Sequence, residues 1–157
     1  MAQVLIIYGS TGGNTEFTVE RVAQLLEESG QHVHIRRVER YSYEDLLDEI
    51  QKADFLVLAS PTYGHGQLQE DMIPFVNQLK GEDLDGKPYV VIGLGDPKYD
   101  DHYHIESTFI LEELLDSCGA KKMHYALRIS RSPMLQVNNL IPKWAEKLNQ
   151  KITSSRL

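Results

Sequence analysis

Three runs of hydrophobic residues lie along the chain without polar alternation, at positions 4–8, 55–59 and 89–92. Continuous apolar runs of this length are typical of parallel strands that are covered by helices on both faces. Two further segments, 32–38 and 123–129, alternate between polar and apolar residues. We therefore expect a sheet with three central strands and with these two segments nearer its edges.

The segments between the strands carry the hydrophobic spacing of amphipathic helices. The predicted helices are 15–29, 43–51, 70–80, 105–118 and 133–151. Glycine follows the first, third and fourth helices, and Ser132-Pro133 marks the start of the last one. The order of elements predicts an α/β fold with a doubly wound, five-stranded parallel sheet, in which ligands bind beyond the carboxyl ends of the strands. We expect residues 1–157 to form one domain.

Composition and charge narrow the class of protein. The chain has 16 Lys and Arg against 23 Asp and Glu, and the net charge of -7 argues against nucleic acid or an anionic membrane as a partner. No stretch approaches the roughly 20 apolar residues of a membrane span and no signal peptide is recognised, so we expect a cytoplasmic protein. The single cysteine, Cys118, excludes an internal disulfide and is expected to be buried near a helix end.

The loop after the first strand is rich in glycine and hydroxyl groups. It contains Ser10, Thr11, Gly12, Gly13, Asn14 and Thr15. A simple strand-to-helix turn needs one Ser or Thr cap, whereas this loop has three hydroxyls at the start of a helix, which favours a bound phosphate. The loop lacks the Lys of a Walker motif and the spacing of a dinucleotide fold. It therefore predicts a phosphomonoester held by neutral donors and the helix dipole.

Two later loops add aromatic rings at the same predicted edge of the sheet. In residues 60–67, Thr62 is positioned to reach the same phosphate and Tyr63 to stack on a planar ligand. In residues 93–104, Tyr99 supplies a second ring beside the Gly95-Asp96 turn. Taken singly, residues 60–67 are also compatible with a turn whose Tyr63 packs on the protein's own core, and residues 93–104 with a simple turn whose tyrosines lie on the surface. Together the three loops predict a ligand with a flat head and a phosphate tail.

Two motifs carry a resemblance to a known family. Residues 10–15 fit the pattern Ser/Thr-x-x-Gly-x-Thr after the triplet Ile6-Ile7-Tyr8, and Gly95-Asp96-Pro97-Lys98-Tyr99 fits Gly-Asp-x-x-Tyr. With these motifs the chain resembles the flavodoxin family over essentially its whole length. Because residues 123–129 contain no long insertion, it is similar to the short-chain members. The resemblance implies the sheet order 2-1-3-4-5.

The resemblance also implies a cofactor, FMN, bound without a covalent link. Its phosphate would lie on residues 10–15, its isoalloxazine between Tyr63 and Tyr99, and the peptide at Gly64 would turn with the redox state. The predicted cofactor-binding residues are Ser10, Thr11, Gly12, Gly13, Asn14, Thr15, Pro61, Thr62, Tyr63, Gly64, His65, Leu94, Gly95, Asp96, Tyr99, Tyr103 and His104. The implied function is a low-potential one-electron carrier that shuttles between semiquinone and hydroquinone.

Such a carrier needs no catalytic side chain and works as a monomer between redox partners, a basic-faced reductase and an acceptor enzyme. One alternative is an FMN-dependent NAD(P)H oxidoreductase on the same fold, and another is a flavin-free receiver domain. A metal site built from His65, His102 and His104 is not expected, because their spacing matches no metal motif. His65 stands where the family often has an acidic residue, so we expect a less reducing, pH-dependent couple.

Overall fold

The computed structural model describes residues 2–63, 67–95, 105–130 and 132–155. Its strands are β1 (Gln3–Tyr8), β2 (His32–Arg37), β3 (Phe55–Tyr63), β4 (Gln67–Leu68), β5 (Pro88–Leu94), β6 (Lys121–Lys122) and β7 (Leu127–Ile129). Its α-helices are α1 (Asn14–Glu28), α2 (Tyr43–Lys52), α3 (Met72–Leu79), α4 (Glu106–Ser117) and α5 (Leu140–Ser155), and short 3-10 helices span Val38–Arg40 and Pro133–Leu135.

The strands pair in the order β2-β1-β3-β5, and both β6 and β7 pair with the far edge of β5. All these pairs are parallel, whereas β4 runs antiparallel to the end of β3. Since β5 is the predicted fourth strand and β6 with β7 replaces the fifth, the predicted order 2-1-3-4-5 and the α/β fold class are confirmed.

The central strands are apolar over residues 4–8, 55–59 and 89–92 because each face of the sheet has its own core. Leu5 and Ile7 of β1 pack on one side with residues of α2, α3 and α4. Val4 and Ile6 pack on the other side with α1 and α5. Two covered faces leave no position over residues 4–8 of β1 that favours a polar side chain, which explains the continuous hydrophobic run.

The last two predicted elements have different bounds in the structure. The predicted strand 123–129 is reduced to β7; before it, the N–H of Met123 still donates to the carbonyl of Tyr89 in β5 (2.9 Å), whereas the carbonyl of Tyr125 accepts a hydrogen bond from Trp144 Nε1 (2.8 Å). The last helix begins at Leu140, not at Pro133: Ser132 caps only a 3-10 turn through Met134 N–H (3.3 Å), and two asparagines, which favour turns, separate that turn from α5.

Cys118 lies at the C-terminal end of α4, where it is buried and its thiol donates to the carbonyl of Leu79 (3.2 Å). The prediction of a buried cysteine near a helix end is confirmed. Within the described ranges, no helix has the length and apolar character needed to cross a membrane.

Candidate functional site

The loop between β1 and α1 is shaped by a glycine and a serine. Gly13 has φ of 88°, a left-handed conformation that side chains with a Cβ rarely adopt, and its N–H donates to Ser10 Oγ (3.2 Å). Thr11, Gly12 and Asn14 are exposed. No side chain caps the N-terminus of α1 among the described residues. The first N–H groups of this helix are therefore free to bind an acceptor, as phosphate sites at helix ends require.

Thr15 is the residue of this loop that best fits a phosphate. Its side chain is 1% exposed, yet its Oγ1 has no hydrogen-bond partner in the part of the chain that the structure describes. Thr18, one turn later, is equally buried but donates to the carbonyl of Asn14 (2.8 Å). A buried hydroxyl without a partner is unfavourable in water-free surroundings. At an uncapped helix end, an anionic oxygen would satisfy it, so the residues present fit the phosphate of FMN.

Gln69 links the phosphate loop to the segment after β3, a role that the sequence did not reveal. Its side-chain Nε2 donates to Thr11 Oγ1 (3.3 Å) and Asp71 Oδ2 (2.7 Å), and its backbone N–H donates to Ser60 Oγ (3.2 Å). A Cβ added to Gly9 would lie 2.2 Å from Gln69 Oε1, so a glycine is needed at position 9 for this close approach. The buried amide thus fixes two loops relative to each other.

The carboxyl ends of β3 and β5 lie side by side next to this loop. Pro61 is the register partner of Leu94, and Gly95 donates its N–H to the carbonyl of Ile129 (2.8 Å). Thr62 was expected to reach the phosphate, but in this structure its Oγ1 accepts a hydrogen bond from the N–H of Ser107 at the start of α4 (3.0 Å). The predicted direct contact of Thr62 with phosphate stays a prediction.

Six of the predicted cofactor-binding residues fall outside the described residues. These are Gly64, His65, Asp96, Tyr99, Tyr103 and His104. Tyr63 is the last residue of β3, where its backbone pairs with Gln67. The structure therefore brings together the phosphate loop and the described neighbours Pro61, Thr62, Leu94 and Gly95 at one edge of the sheet, and the flavin-ring contacts stay predictions.

Arg37 contacts the phosphate loop from the neighbouring strand. It is the register partner of Tyr8, and its guanidinium donates from Nη2 to the carbonyl of Ser10 (2.7 Å) and from Nη1 to Glu16 Oε2 (3.2 Å). Its Nε also bonds Glu39. Burial and then Glu16 raise the pKa of Tyr8, while Arg37 partly opposes this shift. Arg37 was not predicted as a site residue because it lies outside the loop sequence; the parallel pairing of β1 with β2, which places it beside Tyr8, was the signal for it.

His124 is a buried titratable group away from these loops, packed beside Trp144 with ring centroids 5.4 Å apart. Across the described residues, neither of its ring nitrogens has a hydrogen-bond partner. Burial lowers the pKa of His124 to about 4; Lys151 and Lys147 act in the same direction and outweigh an opposing backbone contribution from Trp144. The ring is therefore neutral at pH 7.

A cleft of about 670 Å³ lies at the opposite end of the sheet, between β6 and the end of α5. Phe55, Pro88 and Met123 contribute apolar surface to it, and Lys121 and Lys151 lie among its other lining residues. None of the phosphate-loop residues lines it, so its size does not bear on the site described above.

Comparisons with known proteins point to one family. The family model described as Flavodoxin matches residues 6–139, which include the phosphate loop and all the predicted cofactor-binding residues. The flavodoxin of Maridesulfovibrio salexigens is 33% identical over 154 residues, covering 97% of this chain and 100% of that protein.

Solved structures agree with this match. The crystal structure of oxidised flavodoxin 2 from Bacillus cereus has a TM-score of 0.83 at 30% identity, covering 96% of this chain and 99% of that one. Fusobacterium nucleatum flavodoxin bound to flavin mononucleotide has a TM-score of 0.71 and the same shares of coverage. At 17% identity, that second likeness shows the fold alone.

Proposed function

The chain belongs to the flavodoxin family of FMN-binding electron carriers, and we propose that it accepts and delivers electrons one at a time through FMN held at the phosphate loop. The observation that carries this proposal is the buried, unpartnered hydroxyl of Thr15 beside the uncapped N-terminus of α1. A carrier of this kind is an electron-transfer protein and needs no catalytic acid, base or nucleophile from the chain.

Different residues would bind the two ends of FMN, its phosphate and its isoalloxazine ring. Thr15, with the hydroxyls of Ser10 and Thr11 and the first N–H groups of α1, would hold the phosphate by hydrogen bonds. Tyr63 and Tyr99 are proposed to flank the ring. When bound, FMN supplies the redox chemistry that no side chain here provides. The chain's part is to orient the cofactor, and Gln69 supports this by fixing Thr11 against the segment after β3.

Partners are proposed from charge. Flavodoxins pass electrons to redox partners. The net charge of -7 of this chain would attract partner proteins that have a basic face, and salt would weaken this attraction. We propose that these partners are a reductase and an acceptor enzyme, each with a basic face. The monomeric state and the cytoplasmic location also stay predictions. The NAD(P)H oxidoreductase alternative has no specific observation in its favour.

The test is titration of the apoprotein with FMN, followed by loss of flavin fluorescence, with riboflavin as the ligand that lacks the phosphate. We expect FMN to bind stoichiometrically and much more tightly than riboflavin. Reductive titration of the complex should then resolve two one-electron steps. Failure to bind FMN would refute the proposal, and steady oxidation of NAD(P)H by the purified complex alone would favour the oxidoreductase instead.

A further inference from the structure

Glu16 places a negative charge where the phosphate is proposed to bind. It lies in the first turn of α1, the same helix end whose N–H groups face the phosphate loop. A carboxylate in the first turn and a phosphate at the N-terminus are both attracted by the helix dipole, but they repel each other. A loop that contains no Lys or Arg has no charge of its own with which to offset this repulsion.

Arg37 supplies that charge from β2. Its Nη1 lies 3.2 Å from Glu16 Oε2, while its Nη2 donates to the carbonyl of Ser10 at 2.7 Å, so one planar group contacts both the carboxylate and the loop backbone. The Arg37 and Glu16 side chains are 20% and 36% exposed, so water screens the pair in part and the expected effect is moderate. Glu39 bonds the third side of the guanidinium and fixes its orientation.

We propose that Arg37 is a positioning residue that neutralises Glu16 at the phosphate loop and thereby sets the preference of this protein for FMN over riboflavin. The inference rests on the proposed binding of FMN. Arg37 acts on the ligand through Glu16 and the Ser10 carbonyl. The guanidinium suits this role better than an ammonium would, because its fixed fork serves two acceptors at once and it stays charged at any physiological pH.

Arg36 provides a matched control on the same strand. Its Nε pairs with Glu49 at 2.9 Å and its guanidinium lies over the ring of Tyr41, with the central carbon 5.4 Å from the ring centroid. None of its recorded contacts involves the phosphate loop. Removal of its charge changes the net charge of the protein by the same amount as removal of Arg37, but leaves Glu16 paired.

The experiment measures the Kd values of FMN and riboflavin for the wild-type apoprotein and for R37Q, E16Q, the double variant E16Q/R37Q, and R36Q. We expect R37Q to reduce the ratio of FMN to riboflavin affinity about tenfold, the effect of one uncompensated, partly exposed charge. In E16Q/R37Q the ratio should return to within about threefold of the wild-type value, since the carboxylate in the first turn of α1 is then gone and only the more distant Glu39 is left unpaired. R36Q should leave the ratio unchanged.

E16Q tests the inference without altering β2. Because Arg37 would then lie at the loop with one carboxylate fewer, FMN should bind severalfold more tightly with no change for riboflavin. Circular dichroism verifies that each variant is folded. An unchanged ratio in R37Q, or a double variant as weak as R37Q, would overturn the inference and leave the proposed function intact. A wild-type apoprotein that does not bind FMN would refute the proposed function instead.

Discussion

The side chains of Thr15 and His124 are both almost completely buried, and both keep polar atoms without a partner among the residues that the structure describes. Their surroundings differ. Thr15 lies at an uncapped helix end next to the exposed residues Thr11 and Gly12. His124 lies against the rings of Trp144 and Tyr125, with centroids 5.4 and 4.2 Å away.

The difference in surroundings shows that an unsatisfied buried polar group can have two different roles. Next to an open loop, an unpartnered hydroxyl is available to a ligand, and its energetic penalty disappears on binding. Between aromatic rings no ligand is expected, and the imidazole is tolerated because it stays uncharged. We therefore expect Thr15 to govern binding and His124 to govern stability against acid.

The largest expected effect is acid destabilisation through His124. Its pKa is about 4 in the folded protein and 6.5 ordinarily, so the unfolded chain takes up the proton first as the pH falls. Stability from the neutral ring is complete above pH 6.5 and is lost as the pH falls through about 4. Between pH 7 and pH 4 the free energy of unfolding should fall about 3 kcal/mol more in the wild type than in His124→Phe, measured by urea denaturation.

His32→Gln is the control for this measurement, because His32 is an exposed residue of β2. It should lose stability with acid as the wild type does. If the stability of His124→Phe also fell with pH as that of the wild type does, the buried ring would not be the acid-sensitive group. The proposed difference between His124 and Thr15 would then be wrong.

The second effect concerns Thr15→Val, which removes the hydroxyl and nearly keeps the shape. The apoprotein should be as stable as the wild type or more stable by about 1 kcal/mol, because an unsatisfied buried group is lost. FMN affinity should fall about tenfold, the loss of one charge-assisted hydrogen bond, with riboflavin affinity unchanged. Isothermal titration and urea denaturation measure the two quantities.

Thr18→Val is the matched control, since Thr18 is equally buried on the same helix but its hydroxyl donates to the carbonyl of Asn14. This variant should leave FMN affinity near the wild-type value. Equal losses of FMN affinity in the two variants would show that Thr15 acts through the packing of α1 and not through its hydroxyl.

The smallest effect is expected where a buried hydroxyl is already satisfied. Ser107 Oγ donates to the carbonyl of Ser60 at 2.9 Å, and Ser107 is fully buried. Ser107→Ala should lower the free energy of unfolding by about 1 kcal/mol, the opposite sign to Thr15→Val. Ser117→Ala, at an exposed position whose hydroxyl bonds its own helix, should change stability less; a cost equal to that of Ser107→Ala would contradict the comparison.

Local sequence patterns predicted most of the fold. The strands β1, β3 and β5 are covered on both faces, and this burial appears in the sequence as continuous hydrophobic runs. The start of α5 was predicted too early, since Ser132-Pro133 is an equally good signal for a 3-10 turn. Within the site, residues 10–15 were found from their own composition. Arg37 and Gln69 were not, because their contacts with Ser10 and Thr11 span 27 and 58 residues of chain and depend on which strands become neighbours.

Gln69 makes the phosphate loop part of the cooperative structure of the sheet. Its amide joins Thr11, and its backbone joins Ser60, whose own carbonyl is held by Ser107. The loop cannot open far without breaking the bond between Thr11 and Gln69, and Gln69 is connected through Ser60 and Ser107 to β3 and α4. We therefore expect local unfolding here to involve the loop, β3 and the start of α4 together. Such an opening is larger and rarer than the opening of an exposed turn.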